Sequence, residues 1–166
     1  MQENVFIGAG ANLGDRMAAL TTAVALLAPD VEVLDISNVY QTPPWGFTDQ
    51  PAFLNLALQA ATALDPITLL HRLKGIETRL GREPSFRFGP RAIDLDILFY
   101  GSLVYDSDYL SVPHPLAAER AFVLVPMREI APDFIHPILK KTISELADSV
   151  DTSGIVIYRE EQNGQA

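Results

Sequence analysis

Apolar and polar positions change their period several times along the chain, and each change marks an element. Val5 to Ala9 is a short apolar run, the pattern of a buried strand, and Gly8, Gly10 and Gly14 read as its tight exit. From Asp15 onward Met17, Leu20, Val24 and Leu27 recur at spacings of three and four, which predicts a helix ended by Pro29-Asp30. Val31 to Val39 alternates loosely as a second strand. Gln41 to Gly46 reads as irregular, because Pro44 restricts Pro43 to extended geometry and Gly46 permits a turn. Phe53 to Ala61 is a third strand, with Asn55 a polar position on the face that also carries Phe53. Asp65-Pro66 supplies an N-cap and a first-turn proline for a helix running through Leu69, Leu73 and Ile76 to about Leu80, with Gly81 as its C-cap. After a loop over 82–90, Ala92 to Tyr100 is the clearest strand. Helices near 121–129 and 142–149 and a strand at 155–158 follow. The order β-α-β-β-α-β over residues 5–100 predicts an α+β fold, a ferredoxin-like two-layer sandwich with an antiparallel central sheet and helices on one face, in one domain spanning 1–166.

Composition narrows the classes. The 166 residues are 48% apolar and 20% charged, with no cysteine, which excludes disulfides, thiolate nucleophiles and cysteine-held metals. Met1-Gln2-Glu3-Asn4 offers no basic region ahead of an apolar stretch, so no secretory signal is expected. No apolar run approaches the ~18 to 20 residues of a membrane span, and the expected compartment is the cytoplasm. A net charge of −9 argues against nucleic acid as a partner. Within this acidic chain, Arg72, Lys74, Arg79, Arg82, Arg87 and Arg91 face only Glu77 and Glu83, a basic island suited to a small, highly charged anion.

Beside that island lies the most informative strand. Alternation puts Ile93, Leu95, Ile97 and Phe99 on one face and Asp94 and Asp96 on the other, ~6.6 Å apart along the strand. Two carboxylates that close repel unless a cation lies between them, and hard oxygen ligands suit Mg²⁺, singly or as a pair of ions. The same spacing equally suits aspartates paired with Arg87 or Arg91 at a sheet edge. Carboxylates holding Mg²⁺ beside Arg82, Arg87 and Arg91 would provide what phosphoryl-type transfer needs. The run Gly8-Ala9-Gly10-Ala11-Asn12-Leu13-Gly14 places its third glycine one residue late for a dinucleotide fingerprint, and no GxxxxGK[ST] occurs. Asn12 is free to bond a ligand or a local turn, and the spacing favours the turn. His71 reads as structural and His136 as a surface turn residue, while His114 sits in a stiff segment between Pro113 and Pro115 from which it could reach a phosphate. Trp45 and Phe88 lie in Pro/Gly loops where a planar ligand could stack.

The stretches GANLGDR (10–16), YQTPPWG (40–46), FLN (53–55), LKGIETRLGR (73–82), FGPRAIDLDILFYG (88–101), VPHP (112–115) and RAFVLVPMREIAP (120–132) together resemble the 6-hydroxymethyl-7,8-dihydropterin pyrophosphokinases of folate biosynthesis. The resemblance implies a ferredoxin-like sandwich with mobile active-site loops that moves the terminal two phosphates of ATP to the pterin hydroxymethyl group and releases AMP. It implies that Asp94 and Asp96 hold two Mg²⁺ ions and that Arg82 and Arg91 assist transfer. Lys74, Glu77, Arg82, Arg91, Ile97, Ser111, His114 and Arg120 are implied to contact ATP. Thr42, Pro43, Trp45, Phe53, Asn55, Phe88 and Phe122 are implied to surround the pterin, with Phe53 and Phe122 sandwiching the ring and Asn55 reading its edge. The implied partners are these two small molecules, with no nucleic acid or membrane, and the chain is read as a monomer. Two other readings stay open: a different two-metal nucleotidyl or phosphoryl transferase, and a non-catalytic ferredoxin-like ligand-binding domain.

Overall fold

A computed structural model describes residues 1–81, 85 and 87–160. Its main sheet is built from β1 (Glu3–Ala11), β2 (Val31–Ile36), β3 (Tyr40–Thr42), β4 (Phe53–Thr62), β5 (Asp94–Tyr100) and β8 (Val156–Ile157), and a short hairpin from β6 (Tyr105–Asp106) and β7 (Ser111–Val112). The order is β5-β1-β4-β3-β8, every pairing is antiparallel, and β2 also pairs with β4. The expected second strand is thus two pieces on one partner. Ser37 makes the break: its N–H donates to Ala57 O at 2.9 Å while its hydroxyl accepts from Ala57 N–H at 3.0 Å. Gln41 and Thr42, expected to be irregular, fall in β3, because its partner edge on β4 is free beyond that break.

Helices α1 (Arg16–Ala25) and α2 (Pro66–Arg79) pack on one face, as the pattern predicts. Their starts are capped by Asp15, which accepts from Ala18 N–H, and Asp65, which accepts from Thr68 N–H. Leu20, Leu69, Leu73 and Ile76 meet Val5, Ile7, Leu54, Leu56, Leu58, Leu95 and Ile97 from the sheet. Helices α3 (Ala121–Ile130) and α4 (Ile143–Asp148) cross to the opposite face, where Leu124, Met127 and Leu146 cover Phe6, Ala57, Leu98 and Phe99. They cover only part of it, and the uncovered part becomes the site.

Three local readings change. Gly8 and Gly10 are not the exit of β1 but lie inside it, opposite Ala57 and Asn55 on β4 and Asp96 and Asp94 on β5; the turn falls at Gly14, whose φ is +64°. Phe99 does not share the face of Ile97. A bulge at Leu98, where Phe6 pairs Phe99 and Ile7 pairs Ile97, turns it to the other face, which an unbroken apolar run cannot announce. His136 is 5% exposed, set edge-on to Phe99 at 5.4 Å, with Nδ1 accepting from Ile138 and Leu139 N–H. His71 is exposed. Among the described residues no helix is long and apolar enough to cross a membrane.

Candidate active site

The uncovered face holds a cavity of about 250 Å³. Its floor is Gly8 and Gly10 of β1 with Asn55 and Ala57 of β4, residues with little or no side chain apart from Asn55. Room here is a consequence of missing atoms. A Cβ on Gly10 would stand 2.3 Å from Asn55 Oδ1, so the glycine lets the amide lie flat across the strand. Asn55 is held by its neighbour, its Nδ2 donating to the buried Thr42 hydroxyl at 2.7 Å.

One wall is β5. Asp94 and Asp96 both face the cavity, with Leu98 beyond them and His114 close by. Burial pushes the Asp96 carboxyl well above the usual carboxylate range, the charge of Asp94 pushes it further, and Arg120 and Lys74 oppose the rise. The His114 backbone N–H donates to Leu98 O at 2.9 Å, and its Nδ1 accepts from Leu116 N–H at 3.1 Å. Burial and the Arg120 charge hold this imidazole down at about 4, so at neutral pH it is uncharged and its proton sits on Nε2.

The other wall is aromatic. Trp45 and Phe88 meet edge to face at 5.0 Å, and Phe53 and Phe122 complete the lining with Pro43. The Arg120 guanidinium lies 4.9 Å from the Trp45 ring centre, 5.3 Å from Phe122 and 5.7 Å from Phe88. Its buried Nε has no hydrogen-bond partner among the described residues. A planar delocalised cation stacked on aromatic faces marks the slot as suited to a flat, hydrogen-bonding ring. Gly46 makes the tight approach possible, since a Cβ there would meet Phe88 at 2.7 Å and its φ is +83°.

Asn12 and Gln50 hold the two loops over the cavity, and sequence reasoning missed both roles. The Asn12 backbone N–H donates to Arg91 O at 3.0 Å, and its side-chain Oδ1 accepts from Arg91 N–H at 2.8 Å. Its Nδ2 donates to Gln50 Oε1 and Pro51 O, and Gln50 Nε2 in turn donates to Phe47 O and Phe88 O. Three segments far apart in sequence are clamped by two amides. The signal available was Asn12 inside the GANLGDR stretch; nothing in the period of the chain marks Gln50.

The structure therefore brings Pro43, Trp45, Phe53, Asn55, Phe88, Arg91, Asp94, Asp96, His114, Arg120 and Phe122 around one cavity. Thr42 stands behind it, orienting Asn55. Lys74, Glu77, Ile97 and Ser111 are not on its lining: Glu77 is buried against β5, Ile97 is 3% exposed in the core, and the Ser111 hydroxyl donates to Asp106. Arg82 lies outside the described residues.

Comparison with known proteins gives the family. The sequence pattern of the 7,8-dihydro-6-hydroxymethylpterin-pyrophosphokinase (HPPK) family matches residues 6–132. The chain belongs to that family. The 2-amino-4-hydroxy-6-hydroxymethyldihydropteridine pyrophosphokinase of Aquifex aeolicus is 43% identical over 141 residues, 85% of this chain and 88% of that one. The protein of the same name from Methylorubrum extorquens is 45% identical over 152 residues, 90% of this chain and 95% of that one. Among solved structures, wild-type Plasmodium falciparum HPPK-DHPS with pteroate superposes with a TM-score of 0.74 at 18% identity, which speaks for the fold. The match covers 89% of this chain and 42% of that longer one.

In this member of the HPPK family the carboxylate pair fits a divalent cation held with few protein ligands. Among the described residues no group of three His, Asp or Glu side chains gathers around one point. Two aspartates on one strand face, one of them raised by burial first and by the other's charge second, suit Mg²⁺, which keeps waters and takes substrate phosphates as its remaining ligands.

Proposed function

We propose that the chain transfers the β,γ-diphosphoryl unit of ATP to the hydroxymethyl group of 6-hydroxymethyl-7,8-dihydropterin, giving AMP and the pterin diphosphate, a step of folate biosynthesis. The observation that carries this reading is one cavity with an aromatic slot on one side and the Asp94–Asp96 pair on the other. The hydroxymethyl oxygen forms a bond to the β-phosphorus and gives up its proton to water, the bond from that phosphorus to the α,β-bridging oxygen breaks, and AMP leaves with the bridging oxygen. No covalent enzyme intermediate is needed.

Phe53, Phe122 and Trp45 would stack the pterin ring, and Asn55, fixed by Thr42, would read its hydrogen-bonding edge. Pro43 and Phe88 close the slot. Asp94 and Asp96 would hold Mg²⁺, two ions with ATP bound, whose chemistry is to neutralise charge on the phosphates. Arg91 and Arg82 would neutralise charge on the transferring and leaving groups, and Arg120 sits between the slot and the aspartates, in reach of either. His114 would offer its Nε2–H as a neutral donor. Lys74, Ile97 and Ser111 remain candidates for ATP contacts from outside this cavity. Catalysis would then be positioning and charge neutralisation. We read the chain as acting as a monomer, and the cytoplasm is the compartment we assign.

The test is AMP release from ATP, Mg²⁺ and the hydroxymethyl pterin, with EDTA and pterin-free controls. Pterin-dependent, EDTA-sensitive AMP supports the reading. ADP or free pyrophosphate as product would point to a different transferase, and binding of neither substrate to a folded ligand-binding domain.

A further inference from the structure

Glu77 is a buried carboxylate on α2, 2% exposed, and it lies off the cavity. Its Oε2 accepts a hydrogen bond from the Leu95 backbone N–H at 2.8 Å, and its Oε1 stands 3.3 Å from Lys74 Nζ one helical turn earlier. Leu95 is the residue between Asp94 and Asp96. β5 is an edge of the sheet, so an N–H on its outer side has no ladder partner and must find one elsewhere or stay unpaired at a cost. The Glu77 side chain supplies that partner at the peptide between the two carboxyl groups. An edge strand carrying neighbouring carboxylates would relieve their repulsion by twisting outward or fraying. A hydrogen bond to the peptide between them opposes that motion, and Lys74 balances the charge of the third carboxylate.

We propose that Glu77 is a positioning residue for the aspartate pair: it pins the peptide between Asp94 and Asp96 so that both carboxylates stay turned into the cavity, and it acts on the metal ion and the nucleotide only through them. This rests on the reading of Asp94 and Asp96 as the metal-holding pair. Partners that orient the ligands of a metal are worth about 10- to 100-fold in metal affinity or activity.

The experiment compares wild type, Glu77→Ala and Glu77→Gln, with Asp94→Asn/Asp96→Asn as control. Amide hydrogen exchange of Leu95 is followed by NMR without ligands. Mn²⁺ binding is followed by the EPR signal of the free ion in the presence of α,β-methylene-ATP, which cannot be cleaved at the bond in question. Wild type is expected to protect the Leu95 amide. Glu77→Ala loses that protection and needs about tenfold or more Mn²⁺ for half-saturation. Glu77→Gln, which keeps an acceptor oxygen, restores protection and recovers most of the Mn²⁺ affinity. Rapid Leu95 exchange in the wild type would overturn the proposal even if Glu77→Ala failed to fold. So would unchanged Mn²⁺ binding in Glu77→Ala. Weaker binding of the analogue to Glu77→Gln in EDTA, with Leu95 still protected, would mean that Glu77 touches the nucleotide itself, and would also overturn it. If the double-aspartate control binds Mn²⁺ as the wild type does, the metal reading fails and takes the proposal with it. If the control loses Mn²⁺ and Glu77→Ala does not, only the proposal fails. Neither measurement depends on turnover.

Discussion

Replacing Asp96 by Asn should make the metal-free protein more stable at neutral pH while it removes catalysis. The Asp96 carboxyl is raised from 3.8 to about 7, by burial first and by the charge of Asp94 second. A carboxyl raised in the folded state keeps its proton between pH 4 and 7, where the unfolded chain has already lost its own. The folded state then binds more protons, so stability falls as pH rises through that window and levels off above it. Three pH units at 1.36 kcal/mol each would be about 4 kcal/mol. The side chain keeps some contact with water and shares the repulsion with Asp94, so about 2 kcal/mol is the expected gain for Asp96→Asn at pH 8. At pH 4 the two proteins should be nearly equal. Urea unfolding followed by Trp45 fluorescence at both pH values, in EDTA, measures this. The exposed Asp108→Asn variant corrects for the loss of one negative charge from a chain of net charge −9. An Asp96→Asn protein less stable than wild type at pH 8, or a difference that does not change with pH, would refute the reasoning. Either result would mean that Asp96 belongs to a stabilising ion pair and is not held against its own preference for a ligand.

Other parts of the site make separate predictions. Gly10→Ala places a Cβ against Asn55 Oδ1 and should weaken pterin binding at least tenfold while ATP-analogue binding persists, as read by titration calorimetry with each ligand alone. Asn12→Ala leaves the Arg91 N–H, Gln50 and Pro51 without their partner and should cost about 1 to 3 kcal/mol in urea unfolding, with loss of pterin affinity as both loops loosen. His136 is held below its ordinary value by burial, so the unfolded chain takes up a proton first as pH falls below about 6.5. Stability should therefore decline from there toward acid, and His136→Gln should flatten that part of the unfolding profile. Phe122→Ala removes one face of the aromatic slot and should raise the pterin KM more than it lowers kcat, by steady-state kinetics.

Much of this protein is written locally and could be read without coordinates. The cap at Asp65 stands where the sequence predicts it and accepts from Thr68 N–H, and Asp15 and Thr142 start their helices by the same local rule. The aspartates alternate with Leu95 and Ile97 because strand period is a property of the backbone, so their common face follows from the order of residues. The ferredoxin-like order followed from the sequence of periods in the same way. The residues that quote the family were legible too, since they lie in short contiguous stretches. Tertiary structure alone decided the rest, because those features depend on what a residue meets across the fold. Gly8 and Gly10 look like a turn until β4 and β5 are laid beside them; only then is their missing side chain a floor. Phe99 changes faces at a bulge set by register with β1, and no pattern within β5 encodes its partner's register. Asn12 and Gln50 are 38 residues apart, and Glu77 is 18 from Leu95, so their bonds exist only once the sheet has closed. Chemistry-bearing residue types could be named from the chain, but which of them share a cavity, and which stand behind it holding the others in place, was settled by packing.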